Sequence, residues 1–173
     1  KVFEVIEAHK LFNFDNRKYK IMIHPQSYVH SIIRFKNGLI KMILYNADMK
    51  IPISNTIYRS KIIFSKLPDI NIKNLNNLNF QKVNTKNFPS VKLIDKYFSL
   101  GPSSPIIINA ANEVLVDLFL RGKIGFLDIV LNINKILKVK DFRKYAKRIP
   151  SSIKHIKTVD NWARLKINDI SVK

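Results

Sequence analysis

The sequence predicts an α+β chain in which an antiparallel, hairpin-containing sheet region precedes a carboxy-terminal four-helix-bundle-like domain. Three observations carry this. Between residues 19 and 45 apolar residues come in short runs broken by turn formers, with Asn37-Gly38 between the last two. From about residue 88 the apolar spacing becomes helical. Between these regions lies an Asn-rich run with little periodicity, DINIKNLNNLNFQKVNTKN, which reads as an extended connector. The expected division is therefore 1–68, a connector at 69–87, and 88–173. A length of 173 residues with 46% hydrophobic content suffices for one compact domain or two small ones.

Residues 1–12, KVFEVIEAHKLF, have the spacing of a helix. At about 100° per residue Val2, Val5, Ile6, His9 and Phe12 fall on one face and Glu4, Glu7, Ala8 and Leu11 on another, so the two carboxylates point together. Strands follow at YKIMIH (19–24), YVHSIIRF (28–35) and GLIKMILY (38–45). Asn-Gly favours a tight turn whose two central residues both have positive φ, so the last two strands are expected as antiparallel neighbours. Pro52 and Pro68 punctuate the next stretch, in which ISNTIYRSKII forms a short helix. FPSVKLIDKYFSLG then offers an amphipathic helix over about 89–99 that ends before Gly101, and Ser104-Pro105 starts another that reaches Leu120 before Gly122. Residues 126–138 and 159–169 supply two more, and four such helices bury their stripes as a bundle.

Composition excludes several functions. The chain has no cysteine, which removes disulfides, thiolate ligands and cysteine nucleophiles. No apolar run of roughly 18 residues occurs, and the amino terminus lacks the basic, apolar and small-residue regions of a secretory signal. No membrane association is expected. A formal charge of +19 raises nucleic-acid binding as a function. The lysines are nevertheless dispersed from end to end among Ile and Asn, with no arginine-rich block, which is the mark of compositional bias rather than of a nucleic-acid surface. Such charge still attracts anionic small molecules. No dinucleotide-binding glycine fingerprint, phosphate loop, nucleophile elbow or HExxH motif occurs.

Four stretches hold residues able to do chemistry. Glu4 and Glu7 can help hold a hard divalent cation or stand as solvated helix carboxylates; two are too few for a magnesium or manganese site, and Asp48, Asp69 and Asp95 are isolated. In IHPQSYVHS, the residues His24, Gln26 and Ser27 lie in a loop able to turn toward a cleft, and His30 emerges on the next strand. Histidine and serine donate to phosphate oxygens, and histidine does acid–base work; the ordinary alternative is a turn cap and an edge-packed ring. A zinc site is disfavoured because His9 sits on the apolar face of its helix. In NADMKIP, Met49 with Pro52 can wall a planar ring or plug a core. In INAANEVLV, Asn109, Asn112 and Glu113 cluster near one helix face, either to bind substrate or to fasten the helix to a neighbour.

Taken together, KVFEVIEAHKLFN, IHPQSYVHSIIRFKNG, NADMKIPI, INAANEVLVDLFLRGKIGFLDI and VDNWAR resemble the later half of the 1-deoxy-D-xylulose 5-phosphate reductoisomerases, in collinear order from residue 1 to about 165. The resemblance implies a partial catalytic α/β domain followed by a helical domain. It implies an enzyme of non-mevalonate isoprenoid biosynthesis that rearranges the sugar phosphate and reduces the intermediate with NADPH to 2-C-methyl-D-erythritol 4-phosphate. Mg²⁺, Mn²⁺ or Co²⁺ is the implied metal, a homodimer the implied assembly, and the bacterial cytoplasm or a plastid the implied location. By the same resemblance Glu4 is a metal ligand in a lysine-x-x-glutamate helix, Glu7 is the neighbouring acid, and Lys1 contacts substrate oxygens near the phosphate. Ser27 and His30 are the serine and second histidine of an HPQS-x-x-H motif, with His30 against the substrate phosphate. Met49 lies near the nicotinamide, and Asn109, Asn112 and Glu113 support the cleft.

Departures from that pattern accompany the match. The family usually has proline before the aspartate-methionine pair, and this chain has Ala47, which implies a less rigid wall there. A Rossmann-type NADPH domain, the aspartate-x-glutamate pair that completes the metal site, and the substrate lid have no counterpart in these 173 residues. The expectation is therefore a fragment that does not catalyse alone. The competing expectations are a basic scaffold or RNA-binding remnant of the same fold, and one half of a split enzyme.

Overall fold

A computed structural model describes residues 1–58 and 72–171. In chain order its elements are α1 (Val2–Phe12), β1 (Met22–Ile23), β2 (Val29–Arg34), β3 (Ile40–Leu44), α2 (Lys50–Tyr58), α3 (Ile72–Asn76), β4 (Gln81–Lys82), α4 (Lys92–Leu100), α5 (Ser104–Leu120), α6 (Phe126–Ile136), α7 (Phe142–Ala146) and α8 (Ile153–Ser171). They form two compact units, one made of Lys1–Lys20 with Asn84–Lys173 and one of Ile21–Val83. The boundary expected at residue 68 lies outside the described residues, and α1 groups with the helices instead of with the strands.

Within the first unit, helices α4 to α8 share one core. Ile107, Ile108, Ala110, Ala111 and Leu115 of α5 are buried with Val159, Ala163 and Ile167 of α8, and Ile129, Ile133 and Ile136 of α6 close the same cluster. The four-residue steps of 159, 163 and 167 put one stripe of α8 on the core. Each fully buried Ile or Leu side chain contributes about 1.5–3 kcal/mol, while the alanines let backbones approach closely. Leu93 of α4 and Phe142 with Ala146 of α7 complete the cluster. Helix α7 was absent from the expected set because five residues, FRKYA, are too short to show a period. Helix α8 starts six residues earlier than expected (153 against 159), where Ser152 Oγ accepts from the His155 N–H at 3.2 Å and caps a polar first turn.

The turn between α4 and α5 is fixed by close approach. Gly101 has φ of 110°, and a Cβ there would lie 2.6 Å from the Ala146 carbonyl oxygen. Ser103 N–H donates to that same oxygen at 3.0 Å, and Ser104 Oγ donates to Gly101 O at 2.7 Å, so both buried serines are satisfied. Helix α1 packs on α4: Val5 and Ile6 are buried, and the His9 ring meets Phe98 edge-on at 4.8 Å. Phe12, expected on the apolar face, is exposed.

In the second unit β2 pairs antiparallel with β3, as the sequence led us to expect, but through a different turn. Phe35 N–H donates to Leu39 O at 2.9 Å and Gly38 N–H to Phe35 O at 3.1 Å, which closes a three-residue loop. Only Gly38 has positive φ (91°); Asn37 instead accepts from the Leu39 N–H through its side chain at 3.2 Å. The first expected strand does not join this hairpin. It shortens to β1 and pairs with β4, Met22 opposite Lys82 and Ile23 opposite Gln81. The Asn-rich run is accordingly more than a connector, since it carries α3 and β4, with residues 69–71 outside the described set. The helix expected in ISNTIYRSKII is α2, with Pro52 in its first turn where no N–H is needed; residues 59–63 lie outside the described set.

Gly101→Ala is expected to destabilise the protein by about 3 kcal/mol, from a forbidden φ and a clash with backbone that cannot retreat. Urea unfolding of the variant against the parent measures this, and an unchanged midpoint would show that the turn can move.

Candidate functional site

Of the expected site residues, Lys1, Glu4 and Glu7 belong to the first unit and Ser27, His30 and Met49 to the second. On α1, Glu4 and Glu7 are both exposed and about 4.5 Å apart along the helix axis. Lys1 Nζ donates to Glu4 Oε2 at 2.6 Å. That hydrogen bond lowers the Glu4 carboxyl below its ordinary value, against the opposing push of partial burial. The result is a carboxylate held in its ionised form, which is the ligating form. Among the described residues no three His, Asp or Glu side chains converge as a metal set. The donor chemistry fits a hard divalent cation in part: α1 offers exposed carboxylate oxygens, and a full oxygen shell requires further ligands.

In the HPQS stretch the chain turns sharply. Ser27 N–H donates to His24 O at 3.0 Å, and Ser27 itself has φ of 51°, a left-handed conformation uncommon outside glycine. His24 Nδ1 donates to Asn79 O at 2.8 Å and its ring stacks on Phe80 at 4.9 Å. Gln26 Nε2 donates to Asn77 O at 2.8 Å. His24 and Gln26 thus face the chain rather than a cleft, so that of the two readings His24 follows the ordinary one, a ring that secures the turn.

His30 occupies an irregularity in the hairpin. Val29 pairs with Leu44 and Ser31 with Ile43, so His30 is an extra residue with no partner on β3. A bulge of this kind re-aims a side chain. The ring lies flat on Tyr45, 3.6 Å between centroids and 9° between planes, and Nε2 bonds to Tyr45 O at 3.0 Å. A carbonyl only accepts, so Nε2 carries the proton and Nδ1 is the nitrogen left for another partner. Met49 is 65% exposed immediately before α2, where Asp48 Oδ1 accepts from the Lys50 N–H at 2.9 Å. It plugs no core.

The INAANE stretch of α5 ties that helix to α8. Asn109 Nδ2 donates to Glu113 Oε1 at 2.8 Å, and the other Glu113 oxygen accepts from Arg164. Arg164 Nε also donates to Asp160 at 2.7 Å. The Arg164 guanidinium holds the Glu113 carboxyl below the ordinary range, and the two carboxylates raise Arg164 in turn. Asn112 is half-buried on the same helix.

The DXP reductoisomerase C-terminal domain matches residues 44–166. The chain belongs to the DXP reductoisomerase family. The 1-deoxy-D-xylulose 5-phosphate reductoisomerase of Pelagibacter ubique is 40% identical over 172 residues, covering 99% of this chain and 44% of that protein. A reductoisomerase from Zymomonas mobilis solved in complex with NADPH superposes with a TM-score of 0.86 at 31% identity, over 99% of this chain and 44% of that one. A DOX-P reductoisomerase in complex with NADPH, fosmidomycin and magnesium gives a TM-score of 0.90 at 28% identity, over 98% and 43%. The chain therefore spans less than half the length of these reductoisomerases, and its α+β architecture of helices and small antiparallel sheets is theirs.

For this reductoisomerase-family chain, sequence reasoning missed the partners that orient the expected residues: Tyr45 beneath His30, Asp160 and Arg164 beside Glu113, and Tyr145, whose ring stacks on Trp162 at 4.3 Å. Only Asp160 and Arg164 left a signal, their i,i+4 spacing on a helix. Glu113 is depressed in the folded state, so its contribution is present above the ordinary glutamate pKa and disappears as pH falls through the folded value. Arg164→Met should cost about 1 kcal/mol or less near neutral pH, since the pair is part-exposed, and should cost less still in acid or high salt. Urea unfolding across pH checks this; an equal loss at every pH would assign the effect to packing.

Proposed function

We propose that this chain is the later part of a 1-deoxy-D-xylulose 5-phosphate reductoisomerase, which rearranges its sugar-phosphate substrate and reduces the intermediate to 2-C-methyl-D-erythritol 4-phosphate. One observation carries the reading. The lysine-x-x-glutamate, HPQS-x-x-H and aspartate-methionine motifs occur in order within a chain 40% identical along 99% of its length to a protein of that name. Relatives bearing NADPH and magnesium support the cofactor assignment, and fosmidomycin in one of them supports a phosphate-like ligand.

On this reading Glu4 holds the divalent metal, Mg²⁺, Mn²⁺ or Co²⁺, with Glu7 beside it, and the remaining ligands come from substrate and from outside this chain. Bound metal polarises the substrate oxygens and NADPH supplies the hydride. Lys1 neutralises substrate oxygens near the phosphate, in exchange for its contact with Glu4. Ser27 donates its hydroxyl to phosphate, and His30, anchored through Nε2 to Tyr45 O, lies against it. Met49 presents an exposed apolar surface to the nicotinamide. Residues 1–68 contribute to the catalytic domain, 69–87 connect, and 88–173 form a four-helix-bundle-like scaffold from α4, α5, α6 and α8. The enzyme works as a homodimer in the bacterial cytoplasm or a plastid; no helix among the described residues is long and apolar enough to cross a membrane.

In the complete polypeptide that contains this chain, Glu4→Gln should lower kcat by about 10²–10³-fold, the scale of losing one preorganised transition-state contact, and should raise the metal concentration needed for half activity. Metal-dependent NADPH oxidation with the sugar phosphate is the assay. Absence of turnover by the unaltered polypeptide, together with salt-sensitive RNA binding, would favour the basic-remnant alternative.

A further inference from the structure

We propose that Gln26 and His24 are positioning residues for the substrate phosphate, clamping the HPQS turn onto Asn77–Phe80 so that Ser27 is held in the left-handed conformation that presents its hydroxyl. The inference rests on the reading above that Ser27 binds phosphate.

A non-glycine residue at φ of 51° is strained and persists only where its surroundings over-determine it. Ser27 is determined from one direction. The Gln26 carboxamide faces Asn77 and Asn79 with both ends, Nε2 donating to Asn77 O at 2.8 Å and Oε1 accepting from the Asn79 N–H at 3.4 Å. His24 holds the opposite corner, Nδ1 donating to Asn79 O at 2.8 Å while the ring stacks on Phe80. Because that carbonyl only accepts, Nδ1 bears the hydrogen and Nε2 is a bare lone pair. Nε2 is buried and has no hydrogen-bond partner, so His24 serves the clamp and is closed to a ligand. Immediately before His24, β1 is paired with β4, Ile23 opposite Gln81.

Among the described residues, the side-chain hydrogen bonds that hold the turn thus run to a segment more than fifty residues later, His24 and Asn79 being 55 apart. The Asn-rich run supplies backbone acceptors and a donor to the turn. Two residues of the motif, His24 and Gln26, are engaged by this run, while Ser27 is exposed and His30 is held by Tyr45 instead.

The test uses the complete polypeptide, with Ser27→Ala, Gln26→Ala and Gln26→Glu. Gln26→Glu keeps length and the acceptor for Asn79 N–H but sets a carboxylate oxygen against Asn77 O. Gln26→Ala should raise KM for the sugar phosphate about tenfold, the scale of one lost hydrogen bond passed to binding, with kcat and KM for NADPH within about twofold. Gln26→Glu should raise that KM as well, and it carries the test if Gln26→Ala does not fold. A lowered Tm with unchanged sugar-phosphate KM in both Gln26 variants would overturn the clamp as a positioning device. If Ser27→Ala leaves that KM unchanged, the phosphate reading itself falls and the clamp's role falls with it; a Ser27 effect without a Gln26 effect sinks the clamp alone.

Discussion

The packing of α5 against α8 is the interaction on which the helical unit depends. Its buried stripes set how close the two helices lie, and the Asn109–Glu113–Arg164–Asp160 network on the wetter edge sets their rotation. Entry into α5 is then constrained by Gly101 and Ser103 against the end of α7. That turn delivers α4, and α4 carries α1 through Val5, Ile6 and the His9 aromatic contacts. The exposed carboxylate of Glu4 therefore owes its position to the helical core, against which Val2 and Phe3 of its own helix also pack. A cavity cut into that core would be felt at the first turn of the chain.

The second unit is held by other means. Among the described residues it contains no fully buried side chain, and Ile33, Ile40, Met42 and Ile43 of its hairpin are exposed. A two-stranded ribbon is marginal by packing alone. What places Ser27, His30 and Met49 is instead a set of directed polar contacts: a left-handed turn, a bulge stacked on Tyr45, and an aspartate cap at the start of α2. Hydrogen bonds fix direction where burial fixes only proximity. Residues meant to meet a ligand at one orientation are suited to that kind of support.

This difference explains what was legible in the sequence. The long helices were, because a buried stripe repeats; so was the β2–β3 hairpin, because Asn37-Gly38 is a local signal. The turn type was not, since Asn37 found a side-chain role that relieved it of positive φ. The β1–β4 pairing was hidden because it joins residues about sixty apart through two-residue strands, with no period to read. Site residues were legible as motifs, but their partners were not: nothing local in Tyr45 announces a ring beneath His30, and nothing local in Gln26 announces Asn77 and Asn79, more than fifty residues later.

Charge completes the picture. The chain carries a net +19, yet Glu4 and Glu113 are depressed first by one hydrogen-bonded partner each, Lys1 and Arg164. The dispersed lysines act over distances at which salt screens them within about 8–10 Å, so they can concentrate an anion near the surface but cannot choose among anions. Discrimination has to come from groups fixed in direction. On the proposed reading those are Ser27, held at a strained φ, and His30, whose proton is assigned by the carbonyl of Tyr45. The long-range field and the short-range geometry thus do separate tasks: surface lysines can change without loss of specificity, while a small rotation of the HPQS turn cannot be compensated by any amount of added charge.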